Sequence, residues 1–127
     1  MSKDLNSIIL TPQELQIMKV VWEMGAASVK NVYTILSSRK KIAYTTTLTI
    51  MGILESKGVL THSKSGRAFI YRPLLSKQQA IRNQVAEVLN RFFDGDPEKL
   101  LVAIRQESDL GLNRKDADIQ PIIESLL

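Results

Sequence analysis

The sequence predicts a mainly α-helical protein with one small β-hairpin, and three observations indicate this fold class. Apolar residues recur at three- and four-residue spacing in several segments that begin with helix-capping residues. Between residues 59 and 72 the pattern changes to two short runs of strand-forming residues separated by a glycine. The chain has 127 residues, 44% of them hydrophobic, and no cysteine, so a hydrophobic core without disulfides is expected to hold the fold.

The first helix is predicted over residues 12–24. Thr11 is followed by a proline and, three residues on, by Glu14, which is the pattern of a capping box. Gly25 is expected to end the helix. Apolar residues cover most of the helix surface, which indicates a helix packed between other elements.

Two further helices are predicted before the hairpin. Ser28 has the side chain of an N-cap, and the helix that follows it is amphipathic and ends near residues 37–38. A basic step at residues 39–41 leads to a third helix over residues 43–57, where Gly58 supplies a left-handed cap.

The two faces of the third helix have different predicted roles. One face is expected to pack against the first two helices and holds Thr47, Ile50, Met51 and Leu54. The opposite face is uncharged as far as Glu55 and carries threonines, whose hydroxyls suit base edges and whose methyls suit the thymine methyl. The residues predicted to read DNA bases are Tyr44, Thr45, Thr46, Leu48 and Thr49. A polar helix surface with no ligand is the alternative interpretation.

The hairpin is predicted from residues 59–64 and 67–72, with Ser65 and Gly66 between them and Pro73 closing the second run. Three helices followed by a hairpin with a basic tip is the order of a winged helix-turn-helix domain. Contacts to the DNA backbone are predicted for basic residues before the third helix and at the hairpin tip: Arg39, Lys40, Lys41, Lys64 and Arg67. Charged residues on an exposed strand edge also protect against aggregation, which is the alternative interpretation.

Residues 76–127 are predicted to form three amphipathic helices. The first is capped by Ser76 and ends near Asp94, the second opens at Pro97, and the third starts at about residue 114, with Pro121 expected to kink it. Three such helices are too few to cover their own apolar faces, so a homodimer is predicted, with a monomer folded on itself as the alternative. The predicted dimerisation residues are Ile81, Val85, Val88, Leu89, Phe92, Leu100, Leu101, Ile104, Ile119, Ile122, Ile123 and Leu126.

The distribution of charge along the chain supports a domain boundary near residue 75. Residues 1–75 hold ten Lys and Arg against four Asp and Glu, a net charge of +6, whereas residues 76–127 hold seven against nine, a net charge of −2. A basic half of this kind is typical of a nucleic-acid reader, although a solvated surface gives the same count. We predict a winged-helix DNA-binding domain at residues 1–75 and a helical dimerisation domain at residues 76–127.

Composition excludes several function classes. With no cysteine and a single histidine, His62, thiolate catalysis and cysteine-containing metal sites are excluded, and we predict no enzyme activity, metal or cofactor. His62 is expected in the hairpin, facing solvent or phosphate. The residues Asp94, Asp96 and Glu98 alternate as calcium ligands do, but the twelve-residue ligand loop is missing. No apolar run approaches the roughly 18 residues of a membrane span, and no signal peptide is evident, so we expect no membrane partner and a cytoplasmic location.

Five segments together resemble the penicillinase-repressor family (BlaI/MecI/CopY). They are LTPQE at 10–14, IM at 17–18 with W at 22, AYTTTLTIM at 43–51, KG at 57–58 and GRAFIYRP at 66–73. The resemblance implies a bacterial homodimeric winged-helix repressor that binds a palindromic operator through its third helix and wing and dimerises through its C-terminal helices. By position, it assigns base contacts to residues 44–49 and backbone contacts to Lys41, Lys64 and Arg67.

Two departures limit what the resemblance implies about regulation. Members that respond to β-lactams are cleaved at an Asn-Phe bond, which this sequence lacks, and the corresponding stretch is Val102-Ala103-Ile104. Members that respond to copper carry Cys-x-Cys motifs, and this chain has no cysteine. The inducing signal, and any upstream sensor or protease, is therefore not predicted. A winged-helix protein-interaction module and a non-specific architectural DNA binder remain the alternative functions.

Overall fold

The structure, a computed structural model, describes residues 5–106. This part of the chain forms five helices and one two-stranded antiparallel sheet, which confirms the predicted fold class. In chain order the elements are α1 (Pro12–Met24), α2 (Val29–Arg39), α3 (Tyr44–Ser56), β1 (Leu60–Ser65), β2 (Ala68–Pro73), α4 (Lys77–Phe92) and α5 (Pro97–Gln106). The chain divides between Gln79 and Ala80 into two compact units.

Capping boxes start both α1 and α2. The Glu14 N–H donates to Thr11 Oγ1 at 3.2 Å, and the Thr11 N–H donates to Glu14 Oε1 at 2.9 Å. Ser28 and Asn31 exchange the same two hydrogen bonds at 3.1 and 3.2 Å. Helix α1 has the predicted bounds and is capped by Gly25 at φ +80°.

Helix α2 ends later than predicted, at Arg39. The hydroxyls of Ser37 and Ser38 donate to the carbonyls of Thr34 and Ile35, at 3.3 and 2.7 Å. These serines therefore bond back into the preceding turn and continue the helix instead of ending it.

The core of the first unit is formed by side chains from α1, α2, α3 and the segments around the hairpin. The apolar ones at most 1% exposed are Ile17, Met18, Val20, Val21, Ala27, Val32, Met51, Leu54, Val59, Leu60 and Leu75. The predicted inner face of α3 is buried throughout, and the Thr47 hydroxyl is satisfied by the Ala43 carbonyl at 3.1 Å. Burial of each large apolar side chain contributes about 1.5–3 kcal/mol, so this core holds α3 firmly from one side.

The hairpin, called the wing below (β1, β2 and their turn), lies one residue later than predicted. Ser65 pairs with Ala68, so the turn consists of Gly66 and Arg67 and not of Ser65 and Gly66. Gly66 has φ +63°, the conformation required at the first position of a tight hairpin turn, and glycine adopts it without strain. Arg67 therefore lies in the turn itself.

Two long-range contacts attach the wing to the helices. Ala27, between α1 and α2, exchanges two backbone hydrogen bonds with Tyr71 at 3.0 and 2.8 Å and so adds a one-residue third strand. After β2, the Leu75 carbonyl accepts the Trp22 indole N–H at 2.8 Å. The C-terminal half of β2 and the residues that follow it are thereby fixed against the helical core.

In the second unit, α4 and α5 are joined by a tight turn. Asp94 and Gly95 have φ +51° and +77°, and Asp96 Oδ1 accepts the Glu98 N–H at 3.0 Å as the N-cap of α5. The predicted cap of α4 is also formed, because Ser76 Oγ accepts the Gln79 N–H at 3.0 Å. The predicted helix from residue 114 lies outside the described residues. Among residues 5–106, no helix is long and apolar enough to cross a membrane.

Candidate nucleic-acid interface

The outer face of α3 presents the predicted base-reading side chains to solvent. Thr45, Leu48 and Thr49 are exposed, Tyr44 is 45% exposed, and Thr46 is half-buried. Within residues 5–106 the hydroxyls of these three threonines form no hydrogen bond, so they are available to a partner. The structure thus brings the predicted set together on one surface.

The start of α3 is also favourable to an anion. Its N-cap, Ala43, makes no side-chain hydrogen bond, and the first turn holds no acidic residue. The first N–H groups of the helix therefore lack a side-chain acceptor, and they attract phosphate through both hydrogen bonding and the helix dipole. Tyr44 packs edge-on against Tyr33, with ring centroids 5.4 Å apart, which fixes the direction of its ring.

A shallow open groove runs beside this face. Its volume is about 370 Å³, and it is lined by Gln13, Thr45, Thr46, Thr49, Ile50 and Ile53. Gln13, in the first turn of α1, was not predicted as a site residue, because nothing in the local sequence relates it to α3. Its amide carries both donors and an acceptor, so it extends the hydrogen-bonding surface of α3.

The basic residues before α3 differ in their surroundings. The Arg39 guanidinium lies 4.0 Å from the Glu23 carboxylate, with both side chains more than half exposed. Lys40 and Lys41 are exposed and line a small cavity of about 70 Å³ between α1 and the end of α2. In the described part of the chain these two lysines form no ion pair. Lys40 and Lys41 are therefore freer to bind phosphate than Arg39.

The wing tip carries two exposed basic side chains. Lys64 pairs across the hairpin with Phe69, and Arg67 lies in the turn. Neither has an ion-pair partner among residues 5–106. Arg72 differs, because its guanidinium donates to Ser63 Oγ at 2.9 Å on the other face of the hairpin.

An ion pair fixes the C-terminal end of α3 to α1. Lys57 Nζ lies 2.7 Å from Glu14 Oε2, and the Glu14 side chain is only 5% exposed. Burial favours the neutral carboxyl, but the Lys57 ammonium and the hydrogen bonds from Thr11 outweigh it and lower the pKa of Glu14 below its ordinary value of 4.5.

A second contact joins the same end of α3 to the wing. Nδ1 of His62 contacts Oε2 of Glu55, and the imidazole lies against the rings of Phe69 and Tyr71. Burial, with the nearby Glu55 charge, raises the pKa of Tyr71 above its ordinary value of 10.0. The His62 side chain is 35% exposed and so reaches solvent as predicted, but its contact with Glu55 was not predicted. Nothing in the local sequence indicates this contact, because it forms only when β1 packs beside the C-terminal end of α3.

The chain matches a known protein family. The family described as Penicillinase repressor matches residues 10–126 of the chain. The chain belongs to the penicillinase repressor family. The family predicted from the sequence is confirmed, and its class, a transcriptional repressor, agrees with the predicted function.

Curated relatives and solved structures agree with this family. The penicillinase repressor of Bacillus licheniformis is 29% identical over 101 residues, which is 80% of this chain and 79% of the relative. An uncharacterized 16.5 kDa protein of Latilactobacillus sakei is 24% identical over 110 residues, 87% of this chain and 74% of the relative.

Two solved structures share the fold over more than half of the chain. The solution structure of the DNA-binding domain of the repressor BlaI is 31% identical with a TM-score of 0.53, and the match covers 61% of this chain and 92% of that one. Monomeric Bacillus licheniformis BlaI in complex with the blaP half-operator is 30% identical with a TM-score of 0.51, covering 57% and 89%. The predicted winged-helix fold is confirmed.

Proposed function

We propose that this penicillinase repressor family member is a sequence-specific transcriptional repressor that binds operator DNA through α3 and the wing. The observation that carries the proposal is the outer face of α3, whose threonine hydroxyls form no hydrogen bond among residues 5–106, together with the basic side chains before α3 and at the wing tip that have no ion-pair partner in that range. Neutral hydrogen-bonding groups suit base edges, and unpaired lysine and arginine suit phosphates. The solved complex of BlaI with the blaP half-operator supports operator binding by this chain.

Within this proposal the residues have two roles. Base reading is assigned to Tyr44, Thr45, Thr46, Leu48 and Thr49. Backbone contacts are assigned to Arg39, Lys40, Lys41, Lys64 and Arg67, with Arg39 the weakest because it also faces Glu23. Binding requires no chemical step, so we assign no catalytic residue, metal or cofactor, and we place the protein in the cytoplasm with its DNA.

We further propose that the repressor is a homodimer, with DNA binding by residues 1–75 and dimerisation by residues 76–127. In the single chain the apolar faces of α4 and α5 are incompletely covered. Phe92 is 70% exposed, and the half-buried members are Ile81, Val85, Val88, Leu100 and Ile104, whereas Leu89 and Leu101 are buried. Ile119, Ile122, Ile123 and Leu126 complete the predicted set and lie outside the described residues. A two-fold dimer places two α3 helices about 34 Å apart, or a multiple of it, on a palindrome.

A fluorescence-anisotropy titration tests the proposed function. The full chain is titrated into a duplex from upstream of its own gene and into a scrambled duplex, each at several salt concentrations. We expect the upstream duplex to bind at least a hundredfold more tightly than the scrambled duplex, since specific sites are typically preferred by about 10³-fold or more. The affinity for both duplexes should fall steeply with salt. A footprint then gives the operator. Equal binding to both duplexes would indicate an architectural DNA binder, and no binding to either would indicate a protein partner for α3.

A further inference from the structure

We propose that Gln13, at the start of α1, reads an adenine of the operator beside the bases assigned to α3. The inference rests on the proposed function, because it concerns the same DNA-binding surface. It adds a second helix to the base-reading surface and names the base that this helix recognises.

Gln13 lies beside the outer face of α3. It is the second residue of α1, it is exposed, and its side chain forms no hydrogen bond among residues 5–106. Its side chain lines the groove of about 370 Å³ whose other lining residues are Thr45, Thr46, Thr49, Ile50 and Ile53. A molecule that enters this groove to contact the threonines of α3 therefore meets the Gln13 amide as well.

The backbone on both sides of Gln13 is held in place. Pro12 precedes it and fixes its own φ at a helical value. Glu14 follows it, and its N–H donates to Thr11 Oγ1 at 3.2 Å while its carboxylate lies 2.7 Å from Nζ of Lys57, at the end of α3. The start of α1 is thus tied to α3. Base reading benefits from such a fixed position, because hydrogen bonds weaken steeply when donor and acceptor are misaligned.

The chemistry of the groove favours a base over a phosphate. Among the described residues that line it, none is charged. A phosphate oxygen only accepts hydrogen bonds, so it would leave the carbonyl oxygen of the Gln13 amide without a donor. In the major groove the edge of adenine presents a donor, the N6 amino group, next to an acceptor, N7, and a glutamine amide pairs with both at once. Guanine presents two acceptors and cytosine one donor, so adenine is the base that uses the whole amide.

Gln16 offers a matched comparison within the same helix. It is an exposed glutamine one turn after Gln13, and both residues line the small cavity beside Lys40 and Lys41. Gln16 is not among the residues that line the groove along α3. The two glutamines therefore share their side-chain chemistry and their nearness to the lysines, and they differ in their placement beside the threonines.

The experiment compares the full chain with Gln13→Ala and Gln16→Ala in anisotropy titrations on the footprinted operator and on scrambled DNA. We expect Gln13→Ala to bind the operator about tenfold more weakly, within the range of a bidentate base contact, and to bind scrambled DNA nearly as before. Gln16→Ala should keep the operator preference of the unsubstituted chain.

Modified operators then identify the base without any change to the protein. Each adenine is replaced in turn by its deaza analogue, which has a carbon in place of the N7 acceptor. At one adenine of each half-site, the replacement should weaken binding by the unsubstituted chain severalfold. Gln13→Ala should be insensitive to the replacement at that position, because it has already lost the donor to N7.

Several results would overturn the inference and leave the proposed function standing. One is a Gln13→Ala protein that keeps the full operator preference, and another is an equal loss on both duplexes, which would indicate a phosphate contact. A third is the absence of any adenine whose deaza analogue weakens binding by the unsubstituted chain, and this result holds even if Gln13→Ala folds poorly. An unsubstituted chain that does not distinguish operator from scrambled DNA would instead overturn the proposed function, and the inference with it.

Discussion

At the scale of single residues, two sets of charged side chains in the first unit differ in whether they have an ion-pair partner. Glu14 with Lys57, and Glu55 with His62, contact each other and attach the C-terminal end of α3 to α1 and to the wing. Lys40, Lys41, Lys64 and Arg67 have no such partner among residues 5–106. The first set attaches elements to each other, and the second leaves positive charge available for the proposed phosphate contacts.

The Glu14 carboxylate predicts a pH dependence of stability. Its pKa is lower in the folded chain than its ordinary value of 4.5, so folding favours the ionised form. The resulting stabilisation is fully present above pH 4.5 and is lost as the pH falls through the lowered folded-state value. Glu14→Gln should cost about 1–2 kcal/mol at pH 7, because Lys57 loses a charged hydrogen-bond partner. Urea denaturation from pH 3 to pH 7 measures the difference, and a difference that stays constant down to pH 3 would contradict the assignment.

A substitution on the outer face of α3 separates base reading from backbone contact. If the Thr46 hydroxyl reads a base, Thr46→Ala should weaken operator binding by about 1–3 kcal/mol. Its affinity for scrambled DNA should stay nearly the same. Lys64→Ala should weaken both duplexes alike and reduce the salt slope by about one. Competition titrations with the two duplexes compare them. Equal losses on both duplexes for Thr46→Ala would remove it from the base-reading set.

Single-residue roles were predictable only where they follow from local pattern. The exposed threonines and the buried face of α3 follow from helical spacing, which is set by nearest neighbours along the chain. The contacts of Glu14 with Lys57 and of Glu55 with His62 depend on packing between elements, so spacing gave no indication of either.

At the scale of elements, the helices were more predictable than the hairpin. The capping boxes are local hydrogen-bond patterns, so the bounds of α1 could be read directly. The sequence pattern of the two strands did not mark where each strand ends. The register follows from the positive φ of Gly66, which places the turn one residue later than predicted. The third strand at Ala27 consists of one residue and leaves no pattern in the sequence.

Two glycines give a matched test of the turn. A Cβ added at Gly66 or at Gly52 meets no atom within 4 Å, so backbone conformation alone decides the effect. Gly66→Ala should destabilise the chain by about 1–2 kcal/mol, because φ is +63° there. Gly52→Ala, inside α3, should instead stabilise it by up to about 1 kcal/mol. Thermal unfolding of both variants measures the difference, and effects of the same sign would contradict the assigned turn.

At the scale of the whole molecule, the chain consists of two compact units that divide between Gln79 and Ala80. The first unit has a continuous buried core, whereas α4 and α5 leave apolar side chains exposed, Phe92 above all. The division into a DNA-binding part at residues 1–75 and a dimerisation part at residues 76–127 stays a prediction. The operator sequence was not predictable, because base preference depends on the docked geometry of α3 in the groove.

A substitution at Phe92 tests the proposed dimer. Phe92→Asp should convert the full chain into a monomer, because it places a charge on a face that a second copy would bury. Its effect on monomer stability should be within about 0.5 kcal/mol, as for other exposed positions. Leu74→Asp, at an exposed position of the first unit, is the control and should remain dimeric. Sedimentation equilibrium measures both, and a dimeric Phe92→Asp protein would rule out this face as the interface.

The exposure of Thr45, Leu48 and Thr49 also bears on how such a repressor acquires a new target. Their side chains add nothing to the core, so exchanging them leaves the free energy of unfolding almost unchanged. Many combinations of side chains are therefore tolerated at these positions, in evolution or in protein engineering, without compensating gains in stability elsewhere. Under the proposed base-reading role, target preference and foldability evolve on opposite sides of one helix.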